Sequence, residues 1–309
     1  MTQRPADLTP SQDQRPPEQI RLYTHNIYAR RARWEDRRPL LVRGIADLDP
    51  DIILFQEEVW TSSYDQSADL VGSDRYVVHS RARSRDERSG ISVASRWPVV
   101  AVHEIDLTIG GPPVDEYVWA TLVVEVEAPA PVGRLIIANH FPDATADREY
   151  ERERQAVLVA KRLAELADPD DVPVVLAGDL DAEPDASSLR FFTGRQSLDG
   201  LSVAYVRAWD VAHPGERCWT LDPANRLHHA QLPGWPYHQI DHVLVRCGRS
   251  GTASLPVKAC DLVHSGPQRG VWASDHFGLV ADLAVPGMSP VTGRPGYRRG
   301  LRDLRSGPS

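Results

Sequence analysis

Short apolar runs in this chain keep stopping on residues that carry chemistry. The run Ile20–Asn26 ends on Asn26, Asp51–Glu57 on Gln56-Glu57, and Arg134–His140 on Asn139-His140. Val172–Ala177 runs straight into Gly178-Asp179-Leu180-Asp181. Two more runs begin on such residues: Asp241-His242 opens the stretch to Val245, and Ser274-Asp275-His276 precedes Phe277–Leu283. An apolar run of four to eight residues with polar ends reads as a strand buried on both faces. Its last side chains are delivered to a rim. Several such strands bring acids and imidazoles to one rim, which is how an α/β scaffold builds a metal-dependent active site.

Helical signals alternate with these strands. Leu41, Ile45 and Leu48 have helical spacing within Arg38–Leu48. Asp147–Leu166 is the longest helical pattern, with Ala156, Val159, Ala160 and Leu163 on one face. Gly90–Ser95, Val99–Leu107, Val118–Glu127 and Val257–Val263 complete the strands. The stretch 203–239 holds Trp209, Trp219, Trp235 and Tyr237 with few periodic signals, and reads as a long ordered loop carrying specificity. The expected organisation is a disordered segment over 1–18, one domain over 19–285, and a flexible Gly/Pro/Arg-rich tail over 286–309. No internal repeat is evident.

Net charge is −8, which argues against a protein built for tight nonspecific duplex binding, though a local basic groove stays open. The three cysteines, Cys218, Cys247 and Cys260, match no zinc spacing and no disulfide framework, and are expected as buried free thiols. The segment 1–18 lacks the apolar stretch of a signal peptide, and no apolar run reaches the roughly 20 residues of a membrane helix. The expectation is a cytoplasmic monomer. The Arg-rich segments 30–38 and 81–88 contain acids too, and read as mixed-charge exposed surface.

Collected together, the strand-end groups are Asn26, Glu57, His140, Asp179, Asp181, Asp241, His242, Asp275 and His276. Oxygen ligands of this kind suit Mg²⁺ or Mn²⁺ better than zinc. Carboxylate–histidine pairs left over from metal binding can handle protons, since an acid orients a His and stabilises its imidazolium.

The chain resembles the endonuclease/exonuclease/phosphatase superfamily. The matching elements are Thr24-His25-Asn26, Gln56-Glu57, Ser95-Arg96-Trp97-Pro98, Asn139-His140, Gly178-Asp179-Leu180-Asp181, Ile240-Asp241-His242 and Ser274-Asp275-His276, in the family's order. The resemblance implies a DNase I-like four-layer α/β sandwich: two packed mixed β-sheets flanked by helices. It implies a phosphate-ester substrate, with nucleic acid, lipid, inositol phosphate and small diesters all open, and in-line attack of water on phosphorus. Glu57 is expected as a metal ligand with Asn26 beside it, and Asp275 near the metal or the nucleophile. Asp179 is expected to position or deprotonate water. His276, oriented by Asp241, is expected to act on the phosphate or as an acid/base, and His140 to donate to a phosphate oxygen or the leaving group.

Two positions depart from the family pattern. Asp181 stands where Asn is usual; an ionised Asp cannot donate to a phosphoryl oxygen and would repel it. It is therefore protonated beside Asp179, or holds a metal, or is turned away. His242 stands where an aromatic is common, as a spare ligand or a packing residue. The calcineurin-like phosphoesterases also use Gly-Asp and Asn-His, but here Asn139-His140 precedes Gly178-Asp179, which rejects that class. The reading from a different class is a catalytically weak member that binds a phosphorylated ligand or protein without turnover; only Asp181 supports it.

Overall fold

The computed structural model describes residues 18–84, 88–109, 119–231 and 233–285. The expected tail over 286–309, and all but the last residue of the expected lead-in, lie outside the described residues.

Each buried run becomes a strand. The first sheet contains β1 (Gln19–Asn26), β2 (Ile52–Val59), β3 (Tyr76–His79), β4 (Ser89–Ser95), β11 (Val257–Val263) and β12 (Gly278–Ala284). Its order is β11-β12-β1-β2-β4-β3. The second contains β5 (Val99–Asp106), β6 (Ala120–Ala128), β7 (Gly133–Phe141), β8 (Val174–Asp179), β9 (Tyr205–Arg207) and β10 (Asp241–Arg246), in the order β5-β6-β7-β8-β10-β9. Both sheets are mixed. β1 and β2 run parallel, as do β7 and β8, while β12 and β10 pair antiparallel with β1 and β8. This topology explains the rim. Parallel strands end where their antiparallel neighbours begin, so Asn26, Glu57, Asp179, Asp241 and His276 come to one edge.

Side-chain alternation divides the core into three layers. Ile20, Leu22, Ile52, Leu54, Ile137, Val175, Ala177, Val243 and Val245 fill the space between the sheets. The opposite faces of the same strands meet helices. Tyr23, Ile53 and Phe55 pack with Leu40, Leu41 and Ile45 of α1 (Trp34–Leu48). Ile136, Ala138 and Leu176 pack with Ala156, Val159, Ala160 and Leu163 of α3 (Glu149–Leu166). The face expected for α3 is thus the buried one.

The structure adds short elements that periodicity does not signal. They are α2 (Gln66–Val71), α4 (Ser187–Phe192), α5 (Ala208–Ala212) and α6 (Arg226–Gln231), besides β3 and β9. The stretch expected as loop over 203–239 therefore carries β9, α5 and α6. Elements of three to six residues span too little of a turn or pleat to leave a repeat. The three cysteines are free and buried, as expected. Among the described residues, no helix is long and apolar enough to cross a membrane.

Arg37 corrects the reading of segment 30–38 as exposed. Its guanidinium is buried and donates to the carbonyls of Arg31, Ile27, Ala273, Tyr28 and Ala29 at 2.7–3.0 Å. Tyr28 and Ala29 have positive φ, so this loop folds back and leaves carbonyls without ladder partners. Five donors in one fork meet that need. Arg83 is likewise buried, bonded to the carboxylate and carbonyl of Glu58.

Gly178 is dictated by contact. Its φ is +145°, and a Cβ there would lie 2.2 Å from the His140 carbonyl oxygen. Gly133 also has positive φ, +64°, but faces open space. Gly133→Ala should cost about 1–2 kcal/mol of unfolding free energy, the conformational term alone. Gly178→Ala should cost at least about 3 kcal/mol, because strand backbone must also move. Paired urea melts test this; equal losses would show that β7 yields without penalty.

Candidate active site

The site is assembled by three short connections at the shared edge. Asn26 is the last residue of β1. Its Nδ2 donates to Glu57 Oε1 at 3.1 Å and to Asp179 Oδ2 at 2.9 Å, joining the two sheets. Its Oδ1 accepts from the Tyr28 backbone N–H at 3.1 Å. Glu57 sits on a β-bulge: β2 pairs with β4 through Gln56 and Glu58, leaving Glu57 as the extra residue with φ 53°. A bulge re-aims a side chain that the pleat would send elsewhere. Here it turns the carboxylate inward, where Arg31 Nη1 also reaches it at 3.3 Å.

The neighbouring Glu58 goes the other way. It is held by Arg83, by His79 Nδ1 at 3.1 Å and by Ser67, while His79 Nε2 meets Asp65 at 2.9 Å. Burial opposes charge on His79, but the two carboxylates override it and push it up to about 9. This clasp fixes the bulge from behind. Trp60 stacks on His79 with ring centroids 4.7 Å apart.

Across the edge, His276 Nδ1 meets Asp241 Oδ2 at 2.9 Å, and its Nε2 lies 3.9 Å from Asp179 Oδ2. Asp179, Asp241 and His276 present ligand atoms within 4.8 Å of one another. Burial opposes charge on His276, yet Asp241, Asp179 and Asp275 together hold it well above the ordinary imidazole range. Asp275 is placed by its own loop: its Oδ1 accepts from Ser274 Oγ at 3.0 Å and from the His276 N–H at 3.1 Å. Ser274 Oγ also donates to the Asn26 carbonyl at 2.7 Å. Asn225, in the stretch read as loop, donates to the carbonyls of Ser274 and Asp275.

The carboxyls disturb one another. Asp179 is raised well above its ordinary range, first by burial and then by Asp181 and Asp241. Glu57 is raised by burial and by Asp275, against the pull of Arg31 and Asn26. Asp181 is pushed up to about 7, chiefly by burial, with Arg152 and His276 opposing and Asp241 and Glu57 adding. Asp181 Oδ2 and Asp241 Oδ1 are buried without a hydrogen-bond partner. Crowded, oxygen-only and partly unpaired, this set fits a hard divalent cation.

Of the residues expected at the site, the structure brings together Asn26, Glu57, Asp179, Asp181, Asp241, Asp275 and His276. His140 stands apart. Asn139 points between the sheets, so by alternation His140 points to the outer layer. There its Nδ1 meets Thr121 Oγ1 at 2.7 Å and its ring lies edge-on to Phe192. Burial pushes it down to about 3. His242 is on the same outer face; its Nε2 donates to the Ala182 carbonyl at 2.8 Å, and burial pushes it down to about 3. It anchors the loop that carries Asp181, which is the packing role. Arg96, beside the Trp97-Pro98 turn, pairs with Asp49 and Asp51. Sequence reasoning missed Arg31, Arg37 and Asn225; each sits in a segment without periodicity.

The model of the endonuclease/exonuclease/phosphatase family matches residues 23–276. The chain belongs to that family. Its members are phosphoesterases. No curated protein sequence matches the chain. Among solved structures it is similar to D. rerio TDP2 complexed with single-strand DNA product, with TM-score 0.69, 16% identity, 87% of this chain and 100% of that one covered. It is similar to the human Nocturnin catalytic domain with bound sulfate anion, at TM-score 0.65 and 19% identity, over 88% and 99% of the two chains. A Bacteroides vulgatus endonuclease/exonuclease/phosphatase matches at TM-score 0.64 and 18% identity, over 86% and 99%. These likenesses bear on the DNase I-like fold, two six-stranded mixed sheets between helices.

Asp181→Asn removes a charge and supplies the donor that the family usually has there. The variant should keep at least wild-type turnover, and if Asp181 titrates near 7 in the working site, the wild-type pH–rate profile should show an inflection there that the variant lacks. Complete loss of activity would instead make the Asp181 carboxylate a metal ligand.

Proposed function

We propose that the protein hydrolyses phosphodiesters with a divalent cation, Mg²⁺ or Mn²⁺, by in-line attack of water on phosphorus. The observation that carries this reading is the Asp241–His276 pair directed at Asp179, set beside Asn26 and Glu57. Glu57 and Asp275 would hold the cation, with Asn26 beside them. When bound, such an ion offsets charge on the phosphoryl oxygens.

The chain's own groups do the rest. Asp179 takes the proton of the attacking water; Asn26 fixes its carboxylate at 2.9 Å. An acid raised by burial is a better base at neutral pH than a solvated one. Asp241 fixes the ring of His276 and stabilises its charged form, as an acid partner does in other hydrolytic relays. His276 Nε2 then donates to a phosphoryl oxygen as negative charge develops there, the P–O bond opposite the attacking water breaks, and the departing oxygen is protonated from solvent. The low-dielectric surroundings strengthen the His276 hydrogen bond, and because the ring is already held it costs little reorganisation. Nucleic acid, lipid and small soluble diesters all remain within this chemistry.

Asp179→Ala and His276→Ala should each lower turnover at least about a hundredfold, the loss expected for a general base or acid. The assay is cleavage of a generic phosphodiester and a generic phosphomonoester with Mg²⁺ and with chelator. Near-normal rates in either variant remove that residue from the mechanism. Absence of chelator-sensitive cleavage by folded wild-type protein sinks the hydrolase reading for both esters.

A further inference from the structure

The loop that follows β1 carries a tyrosine in an unusual setting. Tyr28 stands two residues after Asn26, with φ 57°. A bulky side chain in the left-handed region is strained, and such residues persist where the surrounding structure holds them in place. Here Asn26 Oδ1 accepts from the Tyr28 N–H at 3.1 Å, and the Tyr28 carbonyl accepts from Arg37 Nη2 at 3.0 Å. The ring is held as well: Arg31 Cζ lies 5.5 Å and Arg37 Cζ 5.3 Å from its centroid. Arg31 in turn reaches Glu57 Oε2 at 3.3 Å, so ring and acid share one guanidinium.

The hydroxyl is the part left over. Tyr28 is only 8% exposed, and a tyrosine this buried ordinarily finds a partner for its O–H. Among the described residues this hydroxyl has none, and its oxygen is not sealed from solvent. The charged groups that act on it are Asp275, Arg31, Glu57 and Arg37, all of them at this site. Burial and the two acids raise the phenol above its ordinary range against the two arginines, so at neutral pH it is protonated and can donate. The acids beside it are engaged elsewhere: Glu57 Oε1 by Asn26 and Oε2 by Arg31, and Asp275 Oδ1 by Ser274 and the His276 N–H. We propose that Tyr28 contacts the substrate, its hydroxyl donating to a non-bridging oxygen of the phosphate beside Glu57 and Asp275. The fixed backbone and ring preset that donor, so binding has little left to order. Naming the acceptor as a substrate phosphate rests on the phosphodiesterase reading.

Tyr28→Phe keeps the ring, its contacts with the two arginines and the backbone bonds, and removes the O–H alone. Full-length wild-type and variant proteins are compared, with a urea melt to confirm the fold. Cation affinity, from calorimetric titration with Mn²⁺ alone, should be unchanged. Affinity for inorganic phosphate at saturating Mg²⁺ should fall about tenfold or more, the loss of one hydrogen bond to a charged group. The value of kcat/KM for a generic phosphodiester should fall by a similar factor. Equal phosphate affinity and equal kcat/KM in the folded variant overturn the proposal. A fall in Mn²⁺ affinity, with phosphate affinity at saturating cation unchanged, overturns it too, because the hydroxyl would then serve the cation and not the phosphate. The two readings fail separately. Phosphate binding that depends on the hydroxyl, without cleavage by the wild type, keeps the contact and sinks the hydrolase; chelator-sensitive cleavage insensitive to Tyr28→Phe does the reverse.

Discussion

Two buried carboxamides join the sheets, and the site depends on that joint. Asn139 Nδ2, from the second sheet, donates to the Phe55 and Ser92 carbonyls of the first at 2.9 Å. Gln56 Nε2 returns a bond to Asn139 Oδ1 at 2.7 Å. Asn26 adds the bond to Asp179 at the rim. Apolar packing between sheets is nearly indifferent to a small slide, because it depends on area rather than direction. Hydrogen bonds between fully buried amides are not indifferent, since a broken one leaves a polar group without water. The slide between the sheets is thereby fixed, and with it the distance between Glu57 on one sheet and Asp179 on the other.

Around that joint the acids are disfavoured as anions first by burial and then by neighbouring acids. Glu57, Asp179 and Asp181 are all held above their ordinary range by burial, with Asp275 adding at Glu57, Asp181 and Asp241 at Asp179, and Asp241 and Glu57 at Asp181. Arg37 lies close enough to Glu57 and Asp275 to act as a buried counter-charge to those two. It touches carbonyls rather than carboxylates, so it contributes positive potential without neutralising any acid by direct contact. Arg31 supplies a closer charge to Glu57. The protein thus spends folding stability on a concentration of negative charge, and a bound dication would recover much of it.

Much of this was legible in the sequence because the strands are long enough to show their period and end on their functional residues. Asn26, Glu57, Asp179, Asp241 and His276 are found where the runs stop or start. α1 begins at Trp34, four residues before the apolar spacing announces it, since its first turn buries Trp34 and the charged Arg37 and carries Glu35 and Asp36 between them. The side of β7 on which His140 falls was legible too: Leu135 and Ile137 are inner residues, Asn139 follows them, and His140 must face away. What stayed hidden depends on tertiary contacts. Arg37 looks like any other arginine in a charged segment until the loop carbonyls it serves are in place. Asn225 has no local signal, because what it holds lies about fifty residues further along.

The histidines around the site divide in a way that shapes how protons can travel. His25 is pinned between Tyr23 Oη at 2.6 Å and the His276 carbonyl at 3.1 Å, and burial drives its protonation well below the ordinary range. His140 and His242 are sealed neutral on the far face of the second sheet. Three of these four rings are therefore fixed dipoles, wired to the backbone or to a hydroxyl, with no charge to exchange near neutrality. The fourth, His276, is surrounded by acids and carries the mobile charge. Among these four rings, then, the charge is concentrated on one: His276 faces Asp241 through Nδ1 and Asp179 through Nε2, while the other three are held neutral around it.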